Sequence, residues 1–194
     1  MPRPLLPRAN DPGKPLLHSP MHDQYLPAPW FTRHASLVAA GARLLDVACG
    51  TGRHARFFAA RGVQVVAVDC DPVALLSLTG IDGIHVEHRD IEADAWPYVP
   101  NSFDAVIVCN YLWRPTLDAM LATLKPGGVL LYETFMDGNE RHGKPSRTDF
   151  LLRSNELLSN MRQAFRIVAF EEGDELNASG ETVALKQKIA AIKR

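Results

Sequence analysis

The sequence predicts an α/β fold: a doubly wound, mostly parallel sheet that ends in an antiparallel hairpin. Three observations predict it. Leu44, Leu45 and Val47 form a short apolar run, followed by the glycine-bearing stretch 48–52 and then by 53–61, whose Ala55, Phe58 and Ala59 share one helical face. Further strand-like runs, at 63–68, 84–88 and 103–109, alternate with helical or polar stretches, as strand–helix–strand units do. Finally, runs at 165–171 and 182–189 have only the polar turn 172–181 between them, and two strands joined without a helix pair antiparallel.

The totals fit one domain. The chain has 194 residues, 46% of them hydrophobic and 22% charged, enough apolar matter for a core. Pro2, Pro4, Pro7, Pro12, Pro15 and Pro20 crowd the first stretch, and proline removes backbone donors and blocks helix. Residues 1–21 therefore read as an extended arm, wrapped on the surface or disordered, ahead of a single domain at 22–194. The net charge of −1 gives no long-range pull toward nucleic acid. No stretch approaches the ~18 consecutive apolar residues of a membrane span, and prolines interrupt any signal-peptide pattern. The expectation is a cytoplasmic protein with neither nucleic acid nor membrane as partner. Cys49, Cys70 and Cys109 are odd in number and match no zinc spacing, so they read as reduced thiols at strand ends. His85 and His88 share a strand face, but no third ligand stands near them, and no metal is expected.

In chain order, Trp30-Phe31 opens a short helix running to about residue 40, with Phe31, Ala35 and Val38 on its apolar face. Gly62 stops the helix after the glycine turn. Asp69 ends the second strand, where an acid is placed to accept from ribose hydroxyls. Asp71 is a helix cap, followed by Pro72 at the first helical position. Asp90 and Ile91 follow the third strand, and Asn110 ends the fourth, on the side where open α/β sheets form their ligand crevice. Leu117, Leu121 and Leu124 predict a helix over 116–124, with the turn Lys125–Gly128 after it. Residues 134–150 form a long polar loop, either a functional lid or a solvated insertion, and 154–161 a last helix.

These residues carry a resemblance. Leu45-Asp46-Val47-Ala48-Cys49-Gly50-Thr51-Gly52 resembles the first motif of the class I S-adenosylmethionine-dependent methyltransferases, an acid followed by small residues and glycines. Ala48 stands where many members have the first glycine. The pattern D-x-A-C-G-x-G-R-H is similar to a small bacterial branch, the tellurite-resistance methyltransferases and their relatives. The string L-K-P-G-G-x-L-L, from Leu124 on, resembles a second family motif. The resemblance covers about residue 22 to the end. It implies the Rossmann-like class I methyltransferase fold, with S-adenosyl-L-methionine as cofactor. By the same resemblance Asp46, Ala48, Cys49, Gly50, Gly52, Asp69, Cys70, Asp90, Ile91 and Asn110 are the cofactor-binding candidates. Asp90 would accept from the adenine amino group, and the Ile91 backbone would meet the ring. A segment before the first strand often closes over the cofactor in this family, which makes Tyr25 and Trp30 candidate lid residues; packing is the competing reading for both.

The expected reaction is methyl transfer to a small-molecule acceptor. A sulfonium methyl needs an aligned nucleophile more than it needs a protein base. A thiol or a chalcogen oxyanion would suffice, whereas an oxygen or nitrogen acceptor more often requires a base. Candidate bases are Glu133, His142 and Tyr111, and Tyr25, Trp30, Tyr111, Trp113 and Arg141 are candidates for the acceptor pocket. Two alternatives stand beside this reading. Gly50-Thr51-Gly52-Arg53-His54-Ala55 also satisfies G-x-G-x-x-A, with Asp69 beyond it, as in NAD-dependent oxidoreductases. A non-catalytic cofactor-binding module would show the same cofactor motifs.

Overall fold

A computed structural model describes residues 26–93 and 95–194. The proline-rich arm and Tyr25 lie outside the described residues. Helices α1 (Pro29–Arg33), α2 (Arg53–Ala59), α3 (Pro72–Leu76), α4 (Leu117–Ala122) and α5 (Glu156–Met161) pack on strands β1 (Arg43–Val47), β2 (Gln64–Asp69), β3 (Ile84–His88), β4 (Phe103–Cys109), β5 (Leu124–Phe135), β6 (Phe165–Leu176) and β7 (Thr182–Lys193).

The described strands form one seven-stranded sheet, in the order β3-β2-β1-β4-β5-β7-β6. β1 to β5 run parallel. β7 inserts antiparallel between β5 and β6. The expected sheet and hairpin are both present, and the insertion of β7 departs from the two-halved order of a plain dinucleotide-binding sheet.

Both faces of the central strands are buried, and alternate residues divide between two cores. Leu45, Val47, Val106, Val108, Leu130 and Tyr132 pack beneath α4 and α5 with Met120, Leu157 and Met161. Leu44, Ala105, Ile107, Val129, Leu131 and Ala190 face the other way, against Trp30, Phe31, Ala55, Phe58 and Leu78. This second face matters for function. Followed to the strand tips, its residues turn from apolar to polar: Leu44 leads to Asp46, Ile107 to Cys109, Leu131 to Glu133, and Ala190 back to Lys188 and Lys186.

Several boundaries differ from expectation, each for a tertiary reason. The first helix stops at Arg33, and a 3-10 turn over Ala35–Leu37 continues it. α4 ends at Ala122, because Leu124 already pairs with Phe103 in the sheet. β6 and β7 extend to twelve residues each, their turn narrowed around Asn177, whose side-chain oxygen accepts from the Ser179 and Glu181 amides. The 134–150 loop is tied down rather than free. Asn139 is buried, its Oδ1 accepts from the Leu185 amide and its Nδ2 donates to the Pro145 carbonyl.

Candidate functional site

At the carboxyl ends of β1 and β4 lies a cavity of about 420 Å³, lined by Asp46, Ala48, Cys49, Gly50, Thr51, Arg53, His54, Cys109 and Asn110. Ligand crevices of open α/β sheets lie at this end. A second cavity, of about 490 Å³, opens at the opposite strand ends beside Arg43 and His85, away from these groups.

The turn after β1 is built from left-handed backbone. Ala48 (φ 52°), Gly50 (φ 55°) and Gly52 (φ 73°) all have positive φ. Ala48 thus adopts the conformation that a glycine takes freely, and its methyl group makes it strained. A Cβ added at Gly50 would meet nothing within 4 Å, so the cavity side of this turn is open. A Cβ at Gly52 would meet Leu78 at 2.4 Å, so that glycine serves the packing of the turn against the core.

Asp46 is 1% exposed, and its Oδ2 is buried with no hydrogen-bond partner among the described residues. Burial, first, pushes its carboxyl up to about 7; the Ala55 N–H and Arg53 pull it back in part, and Asp69 adds to the rise. An orphaned buried acceptor on a cavity wall fits a ligand that brings a donor. Asp69 is fixed differently. Its Oδ2 accepts from the Gly50 amide at 2.7 Å and its Oδ1 from the Asp71 amide at 2.9 Å, which leaves each oxygen a second lone pair. Asp71 caps α3 through the amides of Val73 and Ala74. Asp90 caps a turn, its Oδ1 accepting from Glu92 and Ala93, while Ile91 buries its side chain in the core. Cys70 is exposed, with its carbonyl 3.1 Å from His88 Nε2. Cys49 is half-buried, and burial followed by Asp46 and Asp69 pushes its thiol up. Cys109 is pushed up to about 11, by burial first, and accepts from Arg53 Nη2 at 3.3 Å. Both thiols are thus held protonated beside the cavity.

The acceptor-side candidates separate. Glu133 is 3% exposed and is paired with Lys186, whose Nζ lies 2.6 Å from Oε1 and also donates to Asn110 Oδ1 at 2.8 Å. Glu133, one of the three candidate bases, is thus held in an ion pair. Lys186 comes from β7, far along the chain, and nothing in its local sequence pattern marked it. Tyr111 is half-buried, its hydroxyl without a hydrogen-bond partner among the described residues, and burial and then the Glu92 charge push that hydroxyl up, so it stays protonated. Trp113 lines a separate hollow of about 340 Å³ with Arg114, Arg147 and Phe150. Trp30 is not at the crevice. It is 1% exposed in the core, and its Nε1 donates to the Ile189 carbonyl at 3.3 Å, so the packing reading holds for it. Arg141 and His142 are exposed on the 134–150 loop, and neither is among the residues lining the 420 Å³ cavity.

Two further residues contact the chain ahead of β1. His54 Nε2 accepts from the Ala28 amide at 3.1 Å, and Arg53 Nη1 approaches the Leu26 carbonyl at 3.5 Å. Arg114 donates from Nε to Glu156 and from its terminal nitrogens to the Asp149 and Leu151 carbonyls, each at 2.7 Å.

Residues 44–128 match the family described as "Methyltransferase domain". The fold is that of the class I S-adenosylmethionine-dependent methyltransferases. That fold implies S-adenosyl-L-methionine as cofactor, and the cavity residues fit it: a buried acid whose Oδ2 has no partner among the described residues, an open glycine turn and a carboxylate at the β2 tip. Among relatives of this chain, the demethylmenaquinone methyltransferase of Clavibacter sepedonicus is 39% identical over 109 residues, 52% of this chain and 44% of that protein. The ubiquinone biosynthesis O-methyltransferase of Pseudomonas putida (strain GB-1) is 33% identical over 125 residues, 59% of this chain and 53% of that one. The chain thus spans about half the length of the curated relatives it matches. TehB from Haemophilus influenzae superposes with a TM-score of 0.66 at 18% identity, over 84% of this chain and 61% of that one, a likeness of fold. The matched family segment ends at Gly128, so Glu133, the 134–150 loop and Lys186 all lie beyond it. Among the described residues, no helix is long and apolar enough to cross a membrane.

Proposed function

We propose that the protein transfers a methyl group from S-adenosyl-L-methionine to a small acceptor that arrives already ionised, a thiolate or a chalcogen oxyanion. The observation that carries this reading is the Glu133–Lys186 pair. With its carboxylate held 2.6 Å from Lys186 Nζ, Glu133 is not a free base, and Arg53 brings positive charge beside Cys109. Tyr111 keeps its proton and His54 spends its acceptor nitrogen on Ala28. An acceptor that needs no deprotonation suits such a site. The D-x-A-C-G-x-G-R-H pattern at Asp46–His54 supports the same branch.

The bound cofactor supplies a methyl carried on a sulfonium, with a good leaving group already attached. The chain's own part is to hold and to exclude. Asp69 takes the ribose hydroxyls on its remaining lone pairs, and Asp46 Oδ2 takes a donor from the amino-acid end. Asp90 and the Ile91 backbone meet the base, and Asn110 stands toward the methyl. Arg53 attracts the anionic acceptor into line, where alignment supplies most of the rate.

A second reading, an oxygen acceptor, is favoured by the likeness to the ubiquinone biosynthesis O-methyltransferase. Labelled methyl transfer to thiols, selenite and tellurite, run beside catechol-type phenols, separates the two. Product on the phenols alone favours the oxygen reading, while binding without turnover on any of these acceptors leaves a cofactor-binding module. Calorimetry with adenosylhomocysteine tests the cofactor site itself. Asp69→Ala is expected to lower affinity at least tenfold through lost charge-assisted hydrogen bonds; unchanged affinity in a folded variant contradicts the assignment.

A further inference from the structure

The chain ahead of β1 is fastened to the cavity by two consecutive side chains of α2. His54 is 3% exposed, and its Nε2 accepts from the Ala28 amide at 3.1 Å. A ring nitrogen that accepts carries no proton, so the imidazole is neutral with its hydrogen on Nδ1. Burial first, then the charges of Arg53 and Lys186, hold it in that form by pushing its pKa down to about 3. Phe31 lies against the same ring, with centroids 4.2 Å apart. Arg53 spans the cavity mouth, one terminal nitrogen 3.5 Å from the Leu26 carbonyl and the other 3.3 Å from Cys109 Sγ. Arg53, His54 and Cys109 all line the cavity, so whatever fills it is bounded by the groups that fix residues 26–31.

We infer that Arg53 and His54 form a latch that holds residues 26–31 beside the cofactor cavity, and that cofactor affinity depends on the neutral imidazole accepting the Ala28 amide. The inference rests on the cofactor reading of that cavity. His54 is a positioning residue here: it acts through the backbone of residues 26–31. An apolar side chain of similar size would fill the space yet leave the Ala28 N–H buried without a partner, which loosens the segment. A side chain with an oxygen at the same depth would keep it.

The test uses the full chain, with adenosylhomocysteine as the probe. His54→Leu is expected to weaken its binding about tenfold by calorimetry, a loss on the scale of one buried hydrogen bond. Amide exchange over residues 28–31 is expected to quicken in the same variant. His54→Gln is expected to stay within about threefold of wild type in both readouts, a rescue that simple space-filling does not give. Arg53→Ala, at the exposed end, is expected to quicken exchange at 26–28 with the melting temperature preserved, and serves if His54→Leu does not fold. A folded His54→Leu with wild-type affinity and exchange overturns the latch, as does a His54→Gln no better than His54→Leu. If wild type itself does not bind adenosylhomocysteine, the cofactor reading fails, and exchange at Ala28 alone decides the latch.

Discussion

Lys186 reaches diagonally across the β5–β7 pair to Glu133. In register it stands opposite Phe135, yet its ammonium passes over the Phe135 ring, 4.9 Å from the centroid, and ends 2.6 Å from Glu133 Oε1. Glu133 and Phe135 are two residues apart on one strand and so share a face, which makes this reach possible. The cation and the anion, 11% and 3% exposed, each meet the other's charge where little water reaches them.

Removing one partner is therefore costly. Lys186→Met is expected to lower stability by about 3 kcal/mol, since it leaves a buried carboxylate uncompensated. The double variant with Glu133→Gln is expected to recover most of that loss. Urea denaturation of both proteins checks it, and a double variant as weak as the single one argues against the pair.

Ala48 stands in left-handed backbone at φ 52°. Ala48→Gly is expected to raise stability by about 0.5–1 kcal/mol, because the strain against the methyl exceeds the entropy that glycine adds to the unfolded chain. A shift of the thermal midpoint upward by a few degrees is the readout.

Gly52→Ala is expected to act in the opposite direction. Its Cβ would fall 2.4 Å from Leu78 in a positive-φ position. A loss of about 1–3 kcal/mol follows from overpacking and backbone strain together. Gly52→Ala with Leu78→Ala is expected to relieve the clash but not the φ strain, so the double variant separates the two terms.

Asp46 gives the fold a pH dependence of definite sign. Its carboxyl lies at about 7 in the folded chain, against an ordinary 3.8, by burial first. The folded form therefore keeps a proton that the unfolded form has released. Stability falls as pH rises from about 4 to about 7 and levels off above, by up to about 4 kcal/mol from this group. Asp46→Asn is expected to flatten that window in denaturation curves at pH 5 and pH 8, while weakening adenosylhomocysteine binding.

Much of the architecture was legible in the chain because it is written in local pattern. Apolar runs doubly buried in a parallel sheet, the glycine turn after Asp46, the cap at Asp71 and the late pair of strands each depend on residues near one another. The tips of β1, β2 and β4 were legible for the same reason: a strand's last residue is visible in sequence, and the crevice follows from the topology. The acceptor side was not legible. Glu133 read as a candidate base with its partner left open, because Lys186 arrives from β7, 53 positions later. Trp30 read as a lid candidate because periodicity cannot tell an aromatic that lines a crevice from one that donates to Ile189 in the core.

By itself, the sequence determined the fold class, the mostly parallel sheet with its late hairpin and the chemistry of the strand-end turns, since backbone conformation and burial there follow from neighbouring residue types. Only the tertiary structure decided which charges meet. The Glu133–Lys186 pair, the His54 acceptor for Ala28 and the Arg114 bonds to Asp149 and Leu151 join segments far apart in the chain. Ion pairs and buried hydrogen bonds depend on distances of a few ångströms, and those are fixed by packing and register rather than by local pattern.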